Sequence, residues 1–280
     1  MLVVLITLVA TLAIQLGYFC WKVAADSLPR IGEESVAKTI TGFLCNGKWL
    51  LGFLCTTLGW VLFIKATELG EISVVQPLMS VGDLFLVLLA VVFLHERLRK
   101  EEWAGLALTV AGAVVLSFDA HIAPPLAIDW VRLALLLAAI VGGGFVLYRW
   151  GRNSPRPEVP LAIVVGCGFG IGAVLTELMT AYLTLSGESL GVATGLWNPV
   201  LPFMVAANVA GLILLQVAFQ RGRAAVIIPV QLSVVNGIVV VVGVLVFSEV
   251  VTLYRLFAIA LMVAGTAWLH KKDSPSGSAA

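Results

Sequence analysis

Charged side chains are scarce in this 280-residue chain. Aspartate, glutamate, lysine and arginine make up 12% of it, whereas apolar residues make up 60%. Soluble proteins carry about 25% charged residues, so the composition excludes a soluble globular domain. The net charge is +1 and no basic stripe is present, which also excludes a soluble nucleic-acid binder.

The chain also lacks the side-chain patterns that indicate catalysis or a resident cofactor. Its four cysteines form no CxxC pair and its three histidines form no HExxH motif. No G-x-S-x-G, no Walker loop and no metal-spaced cysteine and histidine cluster occurs. The string 168–173 has the glycine spacing of a dinucleotide-binding loop, but it sits in an apolar run with no strand before it. The sequence therefore predicts neither an enzyme nor a bound cofactor.

Long apolar runs separated by short polar breaks fill most of the sequence. A membrane-spanning helix needs about 20 predominantly apolar residues. The pattern therefore predicts an all-α, polytopic membrane protein with about nine transmembrane helices. The spans are placed at 2–21, 49–67, 72–94, 102–118, 131–149, 160–185, 197–219, 224–247 and 254–270.

The segment 22–48 carries too many charged residues for an ordinary span. Its second part, 35–48, remains open as an interfacial or re-entrant helix, which would raise the count to ten. The run 2–20 has no basic segment before it and predicts a first span rather than a cleaved signal.

Lysine and arginine divide unequally between the two sides of the membrane. With nine spans, 14 of the 17 basic residues fall on one side, and only Lys65, Arg132 and Arg255 fall on the other. Basic residues favour the cytoplasmic side. We therefore expect a plasma-membrane protein with its N-terminus outside and its C-terminus inside.

Two parts of the sequence resemble each other. Residues 59–77 align with 211–229 at an offset of 152, and residues 78–116 align with 231–269 at an offset of 153. The copies are five spans apart, an odd number, so matching helices cross the membrane in opposite directions. This predicts an inverted-topology repeat, which is common in secondary transporters. The matched positions include Pro77 with Pro229, Glu96 with Glu249, and Asp83 with Asn236.

The repeat divides the chain into two halves and a tail. We expect the first half at 1–118, the second at 119–272, and a disordered tail at 273–280. The first half has one span fewer than the second. The fifth span resembles the first, which leaves the sixth span without a partner.

The block 59–118 resembles the EamA-like proteins of the drug/metabolite transporter superfamily. A small-residue helix is followed by a proline near the start of the next helix, then by Phe-Leu-His-Glu-Arg-Leu at 93–98 and a glycine-containing helix. The nine-span count, the long first loop and the run 68–77 are most similar to the NIPA-like magnesium-transporter branch. The resemblance implies transport of small metabolites, amphiphiles or, in that branch, divalent cations. The family pattern has two halves of five spans, whereas this chain has four and five.

Two acidic residues lie well inside predicted spans, away from the span ends. Asp83 lies in the middle of the third span and Glu177 lies late in the sixth. A charge at membrane depth costs about 2.5–3.5 kcal/mol on insertion scales, and such residues are usually functional. We expect a cation or proton site at the repeat interface, with Asn236 and Gln15 lining the same cavity. The alternative is an acid that is hydrogen-bonded to polar neighbours, or protonated and without function.

Four further residues are expected to act on the helices rather than on a ligand. Pro77 and Pro229 form hinges, or they are prolines of a first helical turn, where the missing N–H costs little. Glu96 and Glu249 each end a span, and we expect them to act in helix-end electrostatics and as gating contacts.

The sequence as a whole predicts a secondary transporter of the drug/metabolite type. Alternating access would move a small solute, coupled to a proton or cation gradient. The alternative is a NIPA-like magnesium permease or channel, in which Asp83 and Glu177 would bind the ion. A membrane scaffold without transport is the third possibility. The expected partners are the lipid bilayer and a small-molecule or cation substrate, and a homodimer is left open.

Overall fold

The chain is helical in every regular element that the structure describes. This computed structural model describes residues 2–31, 34–69, 82, 85–96, 98–117, 128–154, 157–185, 197–247 and 252–269. The all-α prediction is confirmed for these ranges. The helices are α1 (Leu2–Ala25), α2 (Val36–Leu44), α3 (Gly47–Leu69), α4 (85–93), α5 (Lys100–Ser117), α6 (Trp130–Arg152), α7 (Glu158–Leu185), α8 (Leu201–Phe219), α9 (Ala224–Leu245) and α10 (Leu253–Leu269).

Five helices are long and apolar enough to cross a membrane. They are α1, most of α6 and α7, and all of α8 and α9. Helices α3 and α10 contain shorter apolar stretches, Gly47–Phe63 and Leu256–Gly265. The described residues therefore contain five candidate spans, all at predicted positions, and the total of about nine stays a prediction.

Helix α2 occupies the segment whose path the sequence left open. It has nine residues, begins after Ser35, whose hydroxyl accepts the amide N–H of Lys38, and ends at Leu44. At 1.5 Å per residue it spans about 14 Å, roughly half of a bilayer's hydrocarbon core. Phe43 on this helix packs against Ala24 and Leu28, beside the end of α1. The helix is therefore too short to be a tenth span.

The main core lies at one end of the bundle. Buried residues from α1, α4, α5, α7 and α8 pack there against the first turns of α9. The first eight residues of α9, from Ala224 to Gln231, are all buried, whereas 232–239 are half-buried. The start of α9 is thus the most enclosed part of this end.

A smaller core lies at the opposite end, where α6, α7 and α9 meet. It contains Leu133, Val174 and Phe247 among others. Much of α6 faces outward with large apolar side chains, such as Val131 and Phe145, 70% and 63% exposed. Such a surface suits a helix that faces lipid.

Helices α5 and α10, which the repeat aligns with each other, pack directly together. A Cβ added at Gly112 would lie 2.7 Å from the carbonyl oxygen of Ala258. A Cβ added at Gly265 would lie 2.5 Å from the carbonyl oxygen of Gly105. Gly112 aligns with Gly265, and Gly105 aligns with Ala258, both at the offset of 153. The contacts are mirrored and the two helices are antiparallel, as an inverted repeat requires of helices beside its two-fold axis.

A second mirrored pair corrects one expectation from the sequence. Gly59 on α3 packs against Ile14 of α1, and Gly211 on α8 packs against Phe169 of α7. Gly59 aligns with Gly211, so α1 corresponds to α7 at an offset of 155. The sixth span, not the fifth, therefore takes the place of the first, and α6 is the helix without a counterpart. Apolar helices look alike in composition, so the prediction that paired the first span with the fifth was wrong.

Candidate functional site

Three of the predicted site residues, Asp83, Pro77 and Glu249, lie outside the described residues. Gly82, which immediately precedes Asp83, is helical and buried. It lies against Thr11 of α1, where the side chain would collide with any Cβ at position 82. The backbone leading into Asp83 is thus placed beside the buried face of α1.

Gln15 lies on that same face of α1, one turn after Thr11. Its side chain is 4% exposed. Residues four apart on a helix point in similar directions. Gln15 and Thr11 therefore present polar groups to the interior next to Gly82.

Asn236 lies near the middle of α9. It is twelve residues from the start of the helix, or about 18 Å along its axis. Its side-chain nitrogen donates to the sulfur of Met262 on α10 at 3.8 Å. A thioether is a weak acceptor, so this amide retains hydrogen-bonding capacity for another group.

Glu177 is half-buried and lies nearer to an end of the bundle than Asn236 does. Two residues further along α7, the carbonyl of Met179 accepts a hydrogen bond from the side chain of Asn198 at 3.4 Å. Asn198 immediately precedes α8, so this level of α7 is where α8 begins. Glu177 and Asn236 are on different helices at different depths.

Two glutamines line the interior close to the main core. Gln216 is 2% exposed and Gln231 is 8% exposed. Among the described residues, no hydrogen-bond partner is found for the side-chain nitrogen or oxygen of Gln216. The same holds for the side-chain oxygen of Gln231. Leaving a buried polar atom unpaired costs about 1–3 kcal/mol, so these amides are suited to bind water or a polar solute.

Pro229 lies in the second turn of α9, beyond the first turn. Proline has no N–H, so the carbonyl of Ala225 lacks the helical hydrogen bond that residue 229 would normally supply. The hydroxyl of Ser233 donates to the carbonyl of Pro229 at 3.0 Å. The helix is thus weakened one turn after its start, which suits a hinge.

Glu96 caps the N-terminus of α9. Its two carboxylate oxygens accept the backbone N–H groups of Ala224 and Ala225, each at 3.0 Å. The chain reaches this position through His95, which has a left-handed φ of 54° after the end of α4. A carboxylate at a helix N-terminus satisfies unpaired N–H groups and is favoured by the helix dipole. Glu96 therefore joins two helices that the sequence assigns to different halves.

Arg223, just before α9, binds two carboxylates at the same end. Its guanidinium contacts Glu102 of α5, with Nη2–Oε1 at 2.7 Å and Nη1–Oε2 at 3.2 Å. It also contacts Glu158 of α7, with Nε–Oε1 and Nη2–Oε2 both at 2.9 Å. Glu102 is 1% exposed, and it also accepts the backbone N–H of Arg99 at 2.8 Å. Hydrogen bonds to Glu158 and Glu102 raise the pKa of Arg223 further above its usual range. This arginine is therefore charged at any physiological pH.

Lys22 adds a third connection at this end. Its ammonium group donates to the carbonyl oxygens of Phe219 and Gly222 at 2.7 and 2.8 Å. These carbonyls lie at the C-terminal end of α8 and just after it, where helix carbonyls are unpaired and attract cations. We call Glu96, Glu102, Glu158, Arg223 and Lys22 together the ionic clasp, and its end of the bundle the ionic end.

The sequence reasoning identified Glu96 but missed the rest of the ionic clasp. Glu102 and Glu158 stand in the first turns of α5 and α7, where acids are ordinary helix-start residues. One signal was available, because Glu102 already fell at the edge of a predicted span. The predicted topology puts all five residues of the clasp on the same side of the membrane. Four lie in loops, and Glu102 lies at the end of a span.

No metal site is seen among the described residues: no three histidine, cysteine, aspartate or glutamate side chains gather there. The magnesium alternative rests on Asp83 and Glu177, of which only Glu177 is described. That alternative therefore remains a proposal.

This chain is similar to a transporter family and to several proteins named as probable transporters. The EamA-like transporter family matches residues 39–118, which include the predicted motif around Glu96. A probable terminal-alkyne amino-acid exporter of Streptantibioticus cattleyicolor is 27% identical over 267 residues, covering 85% of this chain and 88% of that protein. The probable 4-amino-4-deoxy-L-arabinose-phosphoundecaprenol flippase subunit ArnE of Pectobacterium atrosepticum is 30% identical over 112 residues, covering 40% of this chain and 95% of that protein.

A plant relative carries the name of the magnesium branch. The probable magnesium transporter NIPA9 of Arabidopsis thaliana is 22% identical over 186 residues, covering 62% of this chain. The match spans only 54% of that relative's own length. No solved structure matches the chain.

Proposed function

The chain belongs to the EamA-like transporter family, and on that premise we propose that it is a secondary transporter that moves a small solute by alternating access. The observation that carries this proposal is the mirrored, antiparallel packing of α5 on α10 around Gly112 and Gly265. A two-fold axis in the membrane plane relates two halves that can exchange conformations, which is how inverted repeats alternate access.

The substrate path in this proposal runs through the middle of the bundle. Asp83 binds the coupling proton or a cationic group, and Asn236 and Gln15 supply neutral hydrogen bonds. Support comes from the repeat, which pairs Asp83 with Asn236, and from Gly82, whose neighbour Thr11 is one turn from Gln15. Glu177 belongs to the access path nearer the end of α7.

The first test is transport by the purified protein in proteoliposomes. We expect a proton gradient to drive uptake of at least one radiolabelled L-amino acid from a panel. Asp83→Asn should abolish this uptake, and Glu101→Gln, which changes an exposed acid, should leave it intact. If Asp83→Asn transports as well as the unchanged protein, the assignment of Asp83 is wrong.

A magnesium permease is the second candidate, favoured by the similarity to the relative named a probable magnesium transporter. Mg²⁺ keeps several waters and usually meets one or two carboxylates, so Asp83 and Glu177 would suffice. Mg²⁺ entry, read by an internal dye and insensitive to a proton gradient, would support it. Loss of that entry in both Asp83→Asn and Glu177→Gln is expected if the two acids share the ion.

We further propose that the protein lies in the plasma membrane with the ionic end facing the cytoplasm. Support comes from the excess of lysine and arginine on that side. Cys45, which follows α2, is an exposed free cysteine at this end. With Cys20, Cys55 and Cys167 replaced by serine, an impermeant maleimide should label Cys45 only after intact cells are permeabilised. Labelling of intact cells would reverse the orientation.

A further inference from the structure

We propose that the ionic clasp is a gate: it closes one end of the transport path by tying the two halves together, and it opens once in each cycle. This rests on the proposed transport function. Glu96, Glu102 and Lys22 come from the first half, whereas Glu158 and Arg223 come from the second. The hydrogen bonds that Arg223 donates to Glu102 cross between the halves, and so do those that the first N–H groups of α9 donate to Glu96.

The contacts of the clasp are of a kind that can break and reform. Both partners of each contact are polar, so each can bind water once the halves part, and Glu102, 1% exposed, gains access to water only when they do. Arg223 and Glu158 are already partly exposed, at 32% and 23%. Water can therefore enter from the rim and replace the protein's own hydrogen bonds as the halves part.

The clasp also acts on the weakest point of α9. Glu96 holds the N–H groups of Ala224 and Ala225, and Pro229 deprives that same Ala225 of the helical partner for its carbonyl. Release of Glu96 leaves a first turn that is attached to the rest of α9 by a weakened second turn. The start of α9 can then move relative to the rest of the helix, provided that the main core packed around Ala224–Val230 opens with it.

The opposite end contains two described hydrogen bonds that do not cross between the halves. There, Arg132 donates to the carbonyl of Leu245 at 3.3 Å and the amide of Asp129 donates to Val246 at 3.4 Å. Both contacts are single hydrogen bonds within the second half. At the ionic end, charged groups fasten one half to the other, as the proposed gate requires.

Hydrogen–deuterium exchange in lipid nanodiscs, without substrate, tests the gate directly. The variants are Glu96→Gln, which weakens the cap, and Glu102→Gln, which removes a charge from Arg223. The matched control is Glu34→Gln, which breaks the exposed pair of Glu34 with Lys38. We expect peptides covering 220–231 to exchange about tenfold faster in both variants, the loss expected for one charge-assisted hydrogen bond.

The deciding readout is at the opposite end. A gate predicts that peptides covering 129–137 and 172–180 become more protected in the same variants, because opening one end closes the other. If the ionic end loosens while the opposite end is unchanged, the clasp is a local fastening and the proposal is wrong. If every peptide exchanges faster in both variants, the clasp is a general stabilising element and the proposal is equally wrong. Absence of transport by the unchanged protein would instead end the transport proposal, without altering the exchange result.

Discussion

The two copies of the repeat agree in how their helices pack and differ in the charges at their ends. Gly59 packs against Ile14 of a neighbouring helix, and Gly211 packs against Phe169 at the matched position of the other copy. The same offset of 155 pairs Lys22 of α1 with Glu177 of α7. The copies therefore share their close helix contacts while a cation in one corresponds to an anion in the other.

The reversal extends to the ion pair of the clasp. Arg223 aligns with Glu71 at the offset of 152, and Glu102 aligns with Arg255 at the offset of 153. Glu96 is the exception, because it aligns with another glutamate, Glu249. In the sequence, the position of the capping acid thus keeps an acid in both copies, and the two positions of the ion pair exchange their signs.

Two physical constraints account for this difference. A helix N-terminus always presents N–H groups and a partial positive charge, so its capping residue must be an acceptor in either orientation. An ion pair needs only opposite signs, so its members can be exchanged. In the orientation that we propose, the ionic end faces the cytoplasm, where basic residues are favoured, and this accounts for an arginine at position 223 and an acid at position 71.

The largest effect is expected from removing the guanidinium of Arg223. Arg223→Met leaves Glu102, 1% exposed, as a buried carboxylate without its main partner. Breaking a buried pair in this way should lower the free energy of unfolding by about 3 kcal/mol. SDS titration from mixed micelles measures the change.

Arg132→Met is the control for that variant at the opposite end. Its pair with Asp129 is 64% and 40% exposed, so the loss should stay below about 1 kcal/mol. Equal losses in the two arginine variants would mean that the ends do not differ as described.

The second prediction concerns the positions at which the copies agree. Gly112→Ala and Gly265→Ala should each cost about 2 kcal/mol, because the added methyl groups meet backbone oxygens at 2.7 and 2.5 Å. Gly142→Ala on α6 is the control, since nothing lies within 4 Å of a Cβ there. It should be neutral, or stabilising by up to about 1 kcal/mol. Markedly unequal losses at Gly112 and Gly265, measured by the same titration, would argue against a two-fold relation between α5 and α10.

Local patterns in the sequence were enough to predict the all-α fold and the family. Apolar runs and the motif at 93–98 depend only on residues that are neighbours in the sequence, so they can be recognised without a structure. The ionic clasp was not predicted, because Arg223 and Glu102 are 121 residues apart and each is ordinary where it stands. The counterpart of α1 was also misassigned, because contacts between helices, such as Gly17 with Thr56 and its mirror Gly172 with Asn208, set the register.

The third prediction concerns Lys22, whose matched position in the second copy is the acid Glu177. Lys22→Met removes two charge-assisted hydrogen bonds, to the carbonyls of Phe219 and Gly222. The expected loss is about 2 kcal/mol or somewhat less, because the side chain is only partly buried. Lys48→Met, at an exposed position, should change the titration midpoint very little. If the Lys22→Met variant is as stable as Lys48→Met, Lys22 does not contribute to the clasp.

The smallest effect, about tenfold in transport rate or about 1.4 kcal/mol, is expected at the reversed pair. Glu71 and the side chain of Arg255 lie outside what the structure describes, so the prediction rests on the repeat alone. Glu71→Arg and Arg255→Glu should each slow transport, and the double variant should recover it, because only the relative sign matters to an ion pair. Each single variant is the control for the other, because each one changes the sign of one charge of the pair. A double variant that is slower than both single variants would show that these residues act independently. The reversal of charge between the copies would then have no part in closing the opposite end.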